Sequence, residues 1–173
     1  MGMHTTKVAV GEGKFALEAQ LTVTPRGMAV YACSPEYAYL LLCRRSPLKR
    51  LWGGVLADSC AGHPLPGEDV AAATARRINE ELGITREPDQ LERLGHVVYR
   101  EDHGDGRCEC EWCEVYLAHV EPGELHINQE EISEVRRVAP SELDGYLQGH
   151  PEQLAPWLRE ALEAPSIRAA LQM

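Results

Sequence analysis

The sequence predicts an α/β sandwich, an α+β layering of a mixed central sheet flanked by helices. Three observations carry that expectation: short runs rich in Val, Tyr, Leu and Cys, one strongly periodic helix mid-chain, and proline-divided helical stretches from residue 140 onward. Residues 27–33 and 37–45 are the first two runs, and Ser34-Pro35-Glu36 between them reads as a hairpin. Residues 51–61 continue in extended form, loosened by Gly53-Gly54. Over residues 68–82, Val70, Thr74, Ile78 and Leu82 recur every four positions along one side, and Gly83 follows as a stop signal. Residues 94–101 read as a strand, His103-Gly104-Asp105-Gly106 as a turn, and residues 108–120 as a long strand. Residues 140–147 and 151–171 read as helical, the second stretch divided by Pro156 and Pro165. Residues 1–173 fit one domain, with a core at about 26–149 and a helical segment at about 151–173.

Composition excludes several classes of function. Hydrophobic content of 44% and charged content of 25% suit a soluble domain that folds without disulfide staples. No apolar run approaches the roughly 20 residues needed to span a bilayer. Residues 1–6 lack the basic and apolar regions of a signal peptide, so the expected location is the cytoplasm, without membrane insertion. A formal net charge of −10 opposes a nucleic-acid partner but leaves room for a small anionic substrate on a local positive patch. Arg44, Arg45, Lys49 and Arg50 form the densest such patch. The six cysteines are expected to be reduced thiols. Cys110 and Cys113 have the spacing of a zinc pair, but no second pair follows at finger spacing, and strand alternation turns the two sulfurs to opposite faces. The sequence leaves the oligomeric state open.

The chemistry gathers around the central helix. Gly62-His63-Pro64-Leu65-Pro66-Gly67-Glu68 leads into it, and Arg76-Arg77-Ile78-Asn79-Glu80-Glu81-Leu82-Gly83-Ile84 ends it. Arg76 and Glu80 are four apart, as are Arg77 and Glu81, so each pair shares a helical face. As surface ion pairs these are worth roughly a few tenths of a kcal/mol each. As a cluster, the carboxylates are able to hold a hard cation such as Mg²⁺, which bridges to diphosphate oxygens. Downstream, Glu109-Cys110-Glu111 puts two carboxylates on one strand face, where they can share a metal or a proton.

The spacing of Gly62, Glu68, Arg76, Glu80, Glu81, Gly83 and Ile84 resembles the Nudix box, which implies the Nudix fold. Hydrolases of that fold usually carry Glu directly after the box arginine, where this chain has Arg77. Losing that carboxylate weakens a multi-metal cluster suited to activating water, whereas an arginine neutralises phosphate with a bidentate fork. The substitution is similar to that of type I isopentenyl diphosphate isomerases. That resemblance runs without a gap from Cys43-Arg44-Arg45 through Trp52 to Gly62-His63-Pro64, and covers roughly residues 14–160. It implies a prenyl diphosphate bound by Lys14, Arg45, Lys49 and Arg77, with Glu111 as catalytic acid assisted by Tyr99. It further implies that Trp157, in Pro156-Trp157, steadies a carbocation, an attraction of about 2 kcal/mol in a dry site. Cys113 and Tyr116 continue the match, and a divalent ion is implied on His63, Glu81, Glu109 and Glu111.

Two departures stand out. The family's second acid/base is a cysteine directly before the Gly-His-Pro element, and here that position is Ala61. Cys60 is adjacent, but successive side chains of an extended segment point opposite ways unless a bulge intervenes. The family also binds its metal with three histidines and two glutamates. His63, Glu109 and Glu111 match, but no histidine lies between Thr5 and Gly62; Glu18 falls near one missing ligand and Arg26 near the other. Fewer nitrogens favour Mg²⁺, with Mn²⁺ as alternative, over zinc. The resemblance thus implies proton transfer to an alkene through a carbocation, with isopentenyl/dimethylallyl diphosphate interconversion as the simplest case. Protonation-initiated cyclisation or rearrangement of a longer prenyl diphosphate, Nudix pyrophosphohydrolysis through Glu68, Glu80 and Glu81, and non-catalytic prenyl diphosphate binding stand as alternatives.

Overall fold

The computed structural model describes residues 25–121, 123, 125–149 and 151–173. Its strands are β1 (Arg26–Cys33), β2 (Leu40–Arg45), β3 (Leu56–Ala57), β4 (Cys60–Gly62), β5 (Glu92–Asp102), β6 (Cys108–His119) and β7 (Ile132–Val138). They form one mixed 7-stranded sheet in the order β3-β2-β1-β6-β5, with β4 paired to β1 and β7 to β2. β1 and β6 run parallel; the other pairings are antiparallel. β1 is buried along its whole length after Arg26. That burial on both faces explains why its sequence is apolar throughout and does not alternate.

The alternation of β1 divides the core in two. Met28, Val30 and Ala32 face α1 (Val70–Leu82), packing with Ile78, Leu82 and Ile84. Ala29, Tyr31 and Cys33 face the other way, towards α2 (Leu143–Gly149), α3 (Pro156–Glu163) and α4 (Pro165–Ala170). Trp157, Leu158, Ala161, Leu162 and Ile167 join that same core, so the C-terminal helices are integral to it. α1 keeps the period and the stop read from the sequence but begins two residues later than residue 68, after a cap the sequence reading did not name. Asp69 caps it by accepting from the Ala71 and Ala72 N–H groups, Val70, Thr74, Ile78 and Leu82 are all buried, and Gly83 ends it at φ 71°.

The structure corrects the sequence reading at two places. Residues 51–61 are not one extended stretch: only β3 and β4 are strands, and the chain from 46 to 54 turns back on itself. Hydrogen bonds from Gly54 N–H to the Arg45 carbonyl (3.0 Å) and from Arg45 N–H to the Val55 carbonyl (2.8 Å) close that loop, with Trp52 at φ 47°. β7 was not foreseen, because Glu134, Arg136 and Arg137 interrupt its apolar pattern. Those charges are absorbed by partners, with Arg44 and Arg136 both donating to Glu134.

Candidate active site

The site begins where β5 and β6 pair. Tyr99 and Glu111 are register partners, and the Tyr99 hydroxyl donates to Glu111 Oε2 at 2.9 Å. His63, just beyond β4, brings Nε2 to 2.5 Å from Glu111 Oε1, and this hydrogen bond raises the imidazole pKa. Glu111 reaches this position because residue 27 has no side chain: a Cβ there would lie 2.1 Å from Glu111 Oε2. Glu109 projects into the same cavity and shares a hydrogen bond with Glu111. Burial, then the neighbouring Glu111 charge, raises its pKa to about 7, and its Oε2 is buried without a hydrogen-bond partner.

Trp157, at the start of α3, forms the aromatic wall. Its ring stacks against Tyr99 at 6.0 Å and meets the edge of Trp52 at 5.3 Å. The Arg45 guanidinium lies 5.2 Å from the centre of the Trp157 ring and donates to the Leu51 and Trp52 carbonyls. Arg77 rises from α1 against Gly62, where a Cβ would come within 2.8 Å of its Nε. It pairs with Glu80, Glu81 and Glu131. Lys49 also pairs with Glu131, and burial lowers its pKa. Arg45, Lys49, Arg77, His63, Tyr99, Glu109, Glu111 and Trp157 all line one cavity of about 290 Å³, and Ala61 opens onto it as well.

Not every residue singled out in the sequence arrives there. Glu81 is held by Arg77 and lines a neighbouring crevice with Cys60 and Glu131; burial raises its pKa. The Cys60 side chain packs in the core on the α1 side, where burial pushes its thiol well up. Arg26 is taken by Glu114. Arg76 does line the cavity, but it is engaged by Glu68 and Glu80 in a network that also reaches the His63 carbonyl. Lys14 and Glu18 lie outside the described residues. Sequence reasoning missed Glu131, and it missed Asp58, a buried carboxyl lining the cavity between β3 and β4. The available signal was a charged residue inside the apolar run Val55-Leu56-Ala57-Asp58-Ser59-Cys60-Ala61.

His63, Glu109 and Glu111 fit a divalent ion in kind, two carboxylates and an imidazole, and the unpartnered Glu109 Oε2 is the atom such an ion would satisfy. Among the described residues no three His, Cys, Asp or Glu side chains are already gathered as a metal site. A second cavity, of about 550 Å³, lies beside β2, β7 and α2. Its two guanidiniums, Arg44 and Arg136, are both engaged by Glu134. No helix of the described residues is long and apolar enough to cross a membrane.

The NUDIX domain model matches residues 23–164, and the mixed sheet with its cation-lined cavity beside the capped helix α1 belongs to a Nudix domain. Among solved structures, the MutT NUDIX hydrolase from Burkholderia pseudomallei is similar, with a TM-score of 0.62 and 27% identity over 83% of this chain and 99% of that one. The isopentenyl-diphosphate Delta-isomerase of Paenarthrobacter aurescens is 37% identical over 131 residues, 76% of this chain and 69% of that protein. That of Kocuria rhizophila is 34% identical over 161 residues, covering 89% and 85%. The chain belongs to the isopentenyl-diphosphate Delta-isomerase family.

Proposed function

We propose that the protein interconverts isopentenyl and dimethylallyl diphosphate. The observation that carries this reading is that Glu111, Tyr99 and Trp157 share one cavity with Arg45, Lys49 and Arg77. The three cations neutralise the diphosphate, which leaves the hydrocarbon end against the aromatic wall. Glu111 exchanges a proton with the alkene, the Tyr99 hydroxyl orients its carboxyl group, and the Trp157 face attracts the tertiary carbocation by about 2 kcal/mol. His63, Glu109 and Glu111 would hold Mg²⁺ or Mn²⁺, which when bound supplies positive charge to diphosphate oxygens. The cavity, about 290 Å³, lies just below the roughly 300–1,000 Å³ typical of ligand pockets, which favours a five-carbon substrate over longer chains.

The test is incubation with isopentenyl diphosphate and Mg²⁺, with products separated by chromatography. Dimethylallyl diphosphate without phosphate release is the expected result. Release of phosphate or pyrophosphate instead would identify a hydrolase. Ring products from ten- or fifteen-carbon diphosphates would identify a cyclase, and tight binding with no turnover a non-catalytic binder; any of the three replaces the isomerase reading.

A further inference from the structure

We propose that Asp58 is the second proton-exchanging group of this cavity, taking from the β3–β4 link the part that the isomerase pattern gives to a cysteine at position 61. This rests on the isomerase reading above and adds a residue to it. Asp58 is only 4% exposed, yet it lines the cavity together with Glu111, Tyr99, Ala61 and Trp157. The Trp157 indole N–H donates to its carboxyl group, while Oδ2 is buried with no hydrogen-bond partner among the described residues. A carboxyl group kept for structure alone would be saturated, because leaving a buried acceptor unpaired costs stability.

The connectivity is also specific. Asp58 bonds Trp157, Trp157 stacks on Tyr99, and Tyr99 bonds Glu111. The two carboxyl groups therefore bracket the aromatic pair that would face the cation. Cys113 lines the same cavity, but its thiol points to the Glu114 carbonyl at 3.9 Å, and burial followed by the charge of Glu111 makes it a poor acid.

The surroundings of Asp58 favour the protonated form. Burial dominates and raises its pKa to about 8; Arg45 from β2 and the Trp157 hydrogen bond oppose that, while Glu81 from α1 and Glu109 from β6 reinforce it. Tyr31, Cys43, Cys60 and Cys113, from β1, β2, β4 and β6, complete its neighbourhood, all with pKa values raised by burial. Asp58 is then the group that holds a proton at neutral pH, and Glu111, at the far end of the aromatic pair, is its partner carboxyl group in the exchange. In the forward direction Asp58 gives its proton to the terminal alkene carbon, and the π electrons become the new C–H bond. A tertiary cation and an Asp58 carboxylate result. Glu111 removes a proton from the carbon on the other side of the cation, and that C–H pair becomes the new double bond. Exchange with solvent returns the proton from Glu111 to Asp58, so nothing is oxidised or reduced.

The test follows deuterium entry from D₂O and product formation for the Mg²⁺-supplemented wild type, Asp58→Asn, Asp58→Asn with Ala61→Cys, and Cys113→Ala. The expected result is a loss of kcat of about 100-fold or more in Asp58→Asn, with KM changed by less than about threefold and Cys113→Ala active. Adding Ala61→Cys is expected to restore at least about tenfold, because a thiol then enters the cavity from the neighbouring strand. An active wild type with Asp58→Asn within about threefold of it overturns the proposal and leaves the isomerase reading standing; so does loss without recovery by Ala61→Cys. A wild type that turns over neither isomer overturns the isomerase reading, and this proposal with it. If Asp58→Asn does not fold, the wild-type pH profile decides: a fall in kcat above about pH 8 supports the assignment, and a flat profile to about pH 9.5 overturns it.

Discussion

The two core layers are built on alternate residues of the same strands, yet they differ in how they treat polar atoms. On the α1 side the buried groups are mostly aliphatic, and the polar ones packed among them are mostly matched: Thr74 donates to the Val70 carbonyl at 2.6 Å and Glu81 is held by Arg77, whose Nε alone lacks a partner where it meets Gly62 at the cavity. On the α3 side Tyr31 Oη and Asp58 Oδ2 are buried without partners, and Glu109 Oε2 is in the same condition at the cavity. Each such atom costs about 1–3 kcal/mol. The α1 layer is a place where substitution costs stability, and the α3 layer a place where stability has been given up for chemistry.

The largest effect expected of that contrast is at Glu111. Glu111→Gln should lower kcat about 10³-fold while the urea unfolding midpoint stays close to wild type; a collapse of the fold would make the carboxylate structural. Ile78→Ala, in the α1 layer, should cost about 2–5 kcal/mol in urea unfolding and leave activity per folded molecule unchanged. Were the folded mutant impaired in turnover, the two layers would not be separable in this way. Gly27→Ala places a methyl group on Glu111 Oε2, so kcat should fall roughly 10–100-fold through misplacement of the carboxyl group, with a smaller change in stability. Full activity there would mean that Glu111 does not need its present position.

The smallest effect is one of pH. Because the Asp58 pKa is raised to about 8, the folded chain binds that proton more tightly than the unfolded chain, where an aspartate titrates near 3.9. Its contribution to stability is therefore fully present below about pH 4 and is lost as the pH rises through about 8. Asp58→Asn should flatten this decline, so that less stability is lost between pH 5 and pH 8.5 than in wild type. Parallel declines in thermal melts of the two proteins would show that Asp58 is not the buried acid described.

The legible parts of the fold are those fixed by local pattern. The period of α1, its Gly83 end and the alternation of β6 all follow from neighbours in sequence, and they account for Arg77 sharing a helical face with Glu81 and for Glu109 and Glu111 sharing a face of β6. Tyr99 and Trp157 came from the family resemblance, and their meeting depends on register and on how α3 docks. Asp58 was invisible for a related reason. A lone aspartate before Ser59 reads as a turn, and only the packing of Trp157 and Tyr31 around it shuts out water. β7 was hidden because its charged side chains find their partners on other elements, Glu134 pairing with Arg44 and Arg136 donating to the Tyr146 hydroxyl.

The position of Arg45 over Trp157 has a consequence for selectivity. The indole carries a positive guest, the protein's own guanidinium, at 5.2 Å. A diphosphate can draw that guest aside, because it offers the guanidinium a stronger counter-charge than a ring quadrupole does. A prenyl alcohol of the same carbon skeleton offers no such exchange and meets a ring that is still covered. Discrimination against unphosphorylated isoprenoids would then come from displacement at the ring as well as from head-group affinity, and calorimetric titration of Arg45→Ala with both ligands would reveal it as a narrowed gap between them.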